Sequence, residues 1–262
     1  MMRKIDQRVK LAYLWYWLEF LGAMTTKEIK ARYKHAVFGF LWMILNPILQ
    51  MLVIGLVFQF FVPIKVDNYF LFLFSGLLPW NFFSMSVTKT VQVFYYERSL
   101  IQKAKFPVEA LPLSIILSNL FHKCISLAIF LIILGAMGFA SFKWLFLGPL
   151  LIWLLLLTSG ISLLLATLNV KYRDIAFFVD ALIPLWFYIT PVIYSMDLVP
   201  DFLSKWMALN PVFGVINSFR WVLLGEELNK DSFLVGILIT LLIFFLGAFV
   251  FHVEKKYFDD WL

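Results

Sequence analysis

Cysteine, histidine and charge are all scarce in this 262-residue chain, and each scarcity removes a class of protein from consideration. The lone Cys124 can form no intramolecular disulfide and has no metal-ligand companions, so it reads as a small apolar residue and leaves the redox compartment open. His35, His122 and His252 lie far apart at the edges of apolar runs, and H-E-x-x-H is absent, so no metal site is expected. No two of the 12 glycines stand five positions apart. The G-x-x-x-x-G-K-[ST] loop is therefore missing, and the chain does not bind ATP in the P-loop manner. The net charge of +6 would fit nucleic acid in a soluble protein, but no tract interleaves the basic residues with exposed stacking aromatics.

What is abundant is hydrocarbon. Hydrophobic residues make up 63% of the chain and the mean hydropathy is +0.90, values that identify an integral membrane protein. The basic stretch 1–10 could open a signal peptide, but the apolar run 11–18 is short, Glu19 follows it, and no small-residue cleavage pattern appears, so retention is expected. Residues 1–36 carry eight basic side chains, and Tyr13, Trp15, Tyr16, Trp17 and Phe20 crowd a helix of about 14 residues, too short to span. Two placements fit it: an amphipathic helix in the headgroup plane on the cytoplasmic side, or a helix packed on other protein.

The remaining pattern predicts an all-α membrane protein with six transmembrane helices, at about 37–62, 68–88, 111–142, 144–170, 175–196 and 232–251. The second is interrupted by Gly76, Pro79 and Asn81, which predicts a kink. His122 and Lys123 fall near a membrane boundary, where Lys123 is expected to snorkel. Between spans five and six, Trp206 to Phe219 is uncharged for only 14 residues, against the roughly 20 needed to cross, so a re-entrant segment is expected. Sixteen of the 22 basic residues fall in the amino-terminal segment, the second–third loop, the fourth–fifth loop and the carboxyl tail, which predicts that both termini are cytoplasmic.

Two faces are candidates for a passage. Counting about 100° per residue, Phe38, Trp42, Asn46, Gln50, Phe60 and Phe61 share a sector about 140° wide on the first span. Phe177, Asp180, Phe187 and Tyr194, with Pro184 and Pro191, share about 100° on the fifth. Polar groups in hydrocarbon usually face a partner or a cavity. Asp180 is almost the sole intramembrane acid, which disfavours a proton-coupled carrier. Aromatics, 19% of the chain, offer flat apolar surfaces to the CH faces of a sliding sugar chain, but they would suit a lipid or a drug equally.

A series of motifs in fixed order then carries a resemblance. Arg32-Tyr33-Lys34 precedes Gly39-Phe40-Leu41-Trp42 and Asn46-Pro47. Gly76-Leu77-Leu78-Pro79-Trp80-Asn81-Phe82-Phe83 follows, then Lys103-Ala104-Lys105-Phe106-Pro107. Tyr172-Arg173-Asp174, Thr190-Pro191-Val192-Ile193-Tyr194 and Asn210-Pro211 complete the set. The chain resembles the ABC-2 type permeases that export lipid-linked polysaccharide such as O-antigen or teichoic acid, with the likeness spread over most of its length as a single transmembrane domain, 1–262.

That resemblance implies a homodimer forming one channel in the cytoplasmic (inner) membrane, with two copies of a separate ATPase subunit. It also implies short re-entrant helices on the outside after span five. ATP and Mg would be bound by the ATPase, leaving this chain without a cofactor and without catalysis of its own. By the same likeness Glu97, Arg98, Gln102, Lys103, Lys105 and Phe106, with Tyr172, Arg173 and Asp174, would receive the ATPase. The expected cargo is lipid-linked, O-antigen-like polysaccharide. The alternatives are an ABC-2 exporter of drugs or small lipids and an ATPase-independent channel or carrier.

Overall fold

The computed structural model describes residues 2–34, 41–61, 66, 68–104 and 106–261. Among them every regular element is helical. In chain order these are α1 (Met2–Tyr33), α2 (Trp42–Phe61), α3 (Tyr69–Val91), α4 (Val93–Tyr96), α5 (Arg98–Lys103) and α6 (Ala110–Ala136). A 3-10 turn at Phe142–Phe146 then leads into α7 (Leu147–Lys171), which is followed by α8 (Asp174–Ile189), α9 (Asp201–Met207), α10 (Pro211–Leu223), α11 (Lys230–Glu254) and α12 (Phe258–Trp261). Among the described residues four helical stretches are long and apolar enough to cross a membrane: Tyr69–Val91, Ala110–Ala136, Phe142–Lys171 and Lys230–Tyr257.

The centre of the bundle is α3, most of whose apolar stretch is buried. Phe72, Leu73, Leu77, Leu78, Phe82 and Phe83 are all at most 2% exposed. Around it stand α2, α6, α7, α8 and α10. Helices α7 and α11 approach closely, and the cause is small residues rather than hydrophobicity, because lipid tails are as apolar as leucine. A Cβ on Gly160 would lie 2.6 Å from the Phe244 Cα, and one on Gly247 would overlap the Gly160 carbonyl. Trp153 Nε1 donates to Thr240 Oγ1 across the same pair at 2.8 Å. The opposite side of α11 is left bare, with Leu234, Leu238, Leu242, Phe245 and Phe249 each at least 60% exposed, as befits a surface in contact with lipid or another chain.

Several boundaries differ from the sequence expectation, each for a local reason. The amino-terminal helix is continuous for 32 residues rather than about 14, because nothing between Met2 and Tyr33 breaks it: the stretch has no proline and one glycine. The second span runs unbroken through Pro79 and on to Val91. Helix α6 ends at Ala136, not near 142, because Gly138 takes a left-handed φ of 85°. The fifth helix has 16 residues and ends at Ile189: Pro191 disfavours helical geometry at Thr190, which is extended with ψ 132°. Between α8 and α11 the uneven segment resolves into the exposed α9 and the buried α10. Pro211 occupies the first turn of α10, and the Asn210 side-chain oxygen accepts from the amides of Val212 (3.1 Å) and Phe213 (3.4 Å). Every residue from Pro211 to Arg220 is buried, wedged against α3, α7 and α11.

Candidate substrate cavity and coupling surface

Three of the residues expected on the first-span face converge. Trp42, Asn46 and Gln50 of α2 line a cavity of about 370 Å³ shared with α3 and α6, and Asn81 Nδ2 donates to Gln50 Oε1 at 2.7 Å. Further lining that the sequence had not assigned to a passage comes from Arg32 of α1, Phe82 and Met85 of α3, and Asn119, His122, Lys123 and Ser126 of α6. Asn119, His122 and Ser126 are spaced by three and four, so they form one polar stripe on α6 that the helical period alone could have revealed. Their hydrogen bonds tie α1 into the bundle. Arg32 donates to Asn119 Oδ1 and lies 3.3 Å from His122 Nδ1, while Asn119 Nδ2 donates to Ser86 Oγ at 3.0 Å. His122, expected at a span edge, is buried in the helix, its Nδ1 2.5 Å from the Ser118 carbonyl oxygen. Lys123, expected to snorkel, is among the residues that line the cavity.

The described residues among the other face positions, Phe60, Phe177, Asp180, Phe187 and Tyr194, do not line this cavity. Phe38 lies outside the described residues, as does the side chain of Phe61, and Phe60 is 77% exposed. On α8, Phe177 is 74% exposed. Asp180 lies in a groove of about 380 Å³ with Glu28, Lys89 and Glu97. It sits less than two turns from the start of α8, near the end of the bundle rather than in its middle. Phe187 packs on Trp80 with ring centroids 5.4 Å apart. Tyr194 corrects the stripe: the helix ends before it, so Pro191 and Tyr194 cannot continue the 100° count, and the Tyr194 hydroxyl folds back to donate to the carbonyls of Tyr188 (3.0 Å) and Ile189 (3.1 Å). The two expected walls thus meet α3 on different faces, Asn81 toward α2, Trp80 and Phe83 toward α8.

The break after α8 is held by Arg220 and Tyr69, which no sequence pattern had marked, together with Gly76, Thr190 and Asn210 of the quoted motifs. Arg220, only 3% exposed, donates to the Pro191 carbonyl at 2.8 Å and to that of Val192 at 2.6 Å, with its guanidinium 3.5 Å from the centroid of the Phe72 ring. Tyr69 donates its hydroxyl to the Ile193 carbonyl at 2.8 Å, and Asn210 Nδ2 donates to Thr190 Oγ1 at 2.9 Å. Gly76 makes room, since a Cβ there would lie 2.9 Å from an Arg220 nitrogen. These contacts satisfy the carbonyls of the irregular segment 191–193 that follows the end of α8.

The segments expected to receive an ATPase do assemble at one end. Glu97 joins α4 to α5, and α5 carries Arg98, Gln102 and Lys103, all three exposed, while Lys105 lies outside the described residues. Tyr172, Arg173 and Asp174 are exposed beside them. The Arg173 guanidinium lies 5.3 Å from the Tyr95 ring centroid, and the Tyr95 hydroxyl donates to the Val170 carbonyl at 3.0 Å. Helix α1 joins the same end: Lys27 pairs with Glu97 at 2.6 Å, and Phe20 stacks on Phe106 with centroids 4.9 Å apart.

Comparison with known proteins agrees with this architecture. Residues 19–224 match the family model described as ABC-2 type transporter. An O-antigen export system permease protein RfbA of Klebsiella pneumoniae is 32% identical over 255 residues, covering 96% of this chain and 98% of its own. Its namesake in Myxococcus xanthus is 31% identical over 248 residues, covering 92% and 94%. The polysialic acid transport protein KpsM of Escherichia coli is 20% identical over 240 residues, covering 89% and 93%. A match over most of the chain, joined to several apolar helices, makes this protein a multi-pass integral membrane member of the ABC-2 type transporter family.

Proposed function

We propose that this chain is the permease subunit of an exporter of lipid-linked, O-antigen-like polysaccharide in the cytoplasmic membrane, driven by two copies of a separate ATPase subunit. The observation that carries the reading is similarity at about a third identity to O-antigen export permeases along nearly the whole chain. In this reading six spans cross the membrane with both termini cytoplasmic: α2 and α8 join the four long apolar stretches, and α9 and α10 form the re-entrant pair. A homodimer makes the path. The separation of the two aromatic faces by α3 supports this, because a second copy can bring the exposed α8 face of one chain toward the other. Phe177, Phe187 and Tyr194 then line the passage together with the α2 face.

ATP and Mg belong to the ATPase, whose closure would push on α4 and α5. The chain's own contribution is mechanical and positional, and it needs no catalytic residue. Arg173 offers the sharpest test because its exposed guanidinium bridges the two coupling segments. Arg173→Glu, like Arg98→Glu, is expected to leave the permease in the membrane while lowering permease-dependent ATP hydrolysis at least about tenfold, the effect of losing roughly 1.4 kcal/mol of contact. Normal assembly and hydrolysis in both reversals would refute the coupling assignment. Deletion of the gene should remove surface polysaccharide and trap its lipid-linked form inside; surface polysaccharide at normal levels would refute the cargo.

A further inference from the structure

We infer that the cavity between α1, α2, α3 and α6, together with an apolar cleft beside it, is one binding site for a lipid with a phosphate-bearing head. The head end is the cavity of about 370 Å³, to which Arg32 and Lys123 bring two positive charges and His122 an imidazole, while its lining contains no Asp or Glu. Among the described residues neither Arg32 nor Lys123 forms an ion pair. Charges held partly out of water are costly unless paired, so an anion is the complement this cavity calls for. Arg32 is already oriented by Asn119, and a guanidinium carries five N–H donors, which leaves it able to grip phosphate oxygens.

The tail end follows from the same three helices. A second cleft of about 170 Å³ lies between α2, α3 and α6, and Pro47 and Ser126 line both spaces. Beyond those two residues its walls are hydrocarbon, from Met51, Phe70, Phe74, Phe130 and Ile133. Along α6 the lining positions His122, Ser126, Phe130 and Ile133 fall on one face, and about 1.5 Å per residue puts Ile133 roughly 16 Å from His122. A soluble phosphate has no use for the second compartment, whereas a phospholipid or polyprenyl phosphate fills both. The lipid assignment needs only that the chain sits in a bilayer; that this lipid is the carrier of an exported glycan rests on the function proposed above.

Native mass spectrometry of the full chain in a neutral detergent tests the site, with phosphatidylglycerol, a polyprenyl phosphate, diacylglycerol and inorganic diphosphate as probes. The two phosphate lipids should bind at least about tenfold more tightly than diacylglycerol or diphosphate, the scale of a charge-assisted contact. Arg32→Gln and Lys123→Gln should each remove most of that advantage. Lys123→Gln carries the test if Arg32→Gln impairs folding, because the Lys123 ammonium makes no hydrogen bond within the described fold. Ile133→Trp, which fills the cleft, should weaken both lipids and leave diphosphate unchanged. Unaltered lipid binding in Lys123→Gln, or diphosphate bound as tightly as the lipids, would overturn the site. Tighter binding of polyprenyl phosphate than of phosphatidylglycerol supports the carrier role; equal binding upholds the lipid site and removes that role.

Discussion

At the scale of single residues, Arg220 shows how one side chain can make an irregular backbone tolerable inside a membrane protein. Its two hydrogen bonds satisfy the Pro191 and Val192 carbonyls, and Phe72 covers its face. Arg220→Met keeps volume but orphans both carbonyls, so a loss of about 3 kcal/mol is expected, read as a lowered unfolding temperature in detergent. Arg220→Lys should recover little of it, since an ammonium lacks the planar fork. Nearby Glu226 is pushed above its ordinary range first by burial, against the pull of Arg220, with Asp197 adding to the rise. A carboxyl raised on folding favours the folded state while protonated, and that contribution is lost as pH climbs through the folded value. The native protein should therefore lose stability relative to Glu226→Gln as pH is taken from about 4.5 upward; parallel curves for the two would contradict the assignment.

At the scale of elements, helix packing is decided at glycines. Gly247→Ala places a methyl against the Gly160 carbonyl and should cost about 1–3 kcal/mol, lowering the unfolding temperature. Gly22→Ala on α1 meets nothing within 4 Å and should be neutral or stabilising by up to about 1 kcal/mol. Spacing and composition made the long apolar helices legible, because hydropathy and period act within one segment. The ends were less legible: α8 stops where Pro191 forbids its continuation, a signal present in the sequence, yet a periodic count carried across it to Tyr194. The cavity was half legible. Trp42, Asn46 and Gln50 lie on one helix and could be found by counting, whereas Arg32, Asn81 and Asn119 reach it from other helices. Their convergence is a property of packing, which no single helical wheel contains.

At the scale of the whole molecule, the distribution of Lys and Arg makes a claim about sidedness. In a Cys124→Ser background, an impermeant thiol reagent applied to intact cells should label Lys230→Cys at the exposed start of α11 and fail to label Lys256→Cys beyond its end. The reverse pattern would invert the topology. The brevity of α8 has a consequence for the bilayer itself. Sixteen helical residues extend about 24 Å, short of a hydrocarbon core of roughly 30 Å. In the proposed six-span reading, with α8 as the fifth span, the molecule must either thin the surrounding lipid or keep the Thr190–Val192 break below the surface, sheltered by Arg220. Export in proteoliposomes should accordingly be fastest in short-chain lipids and decline as acyl chains lengthen, making membrane thickness a regulator of the permease.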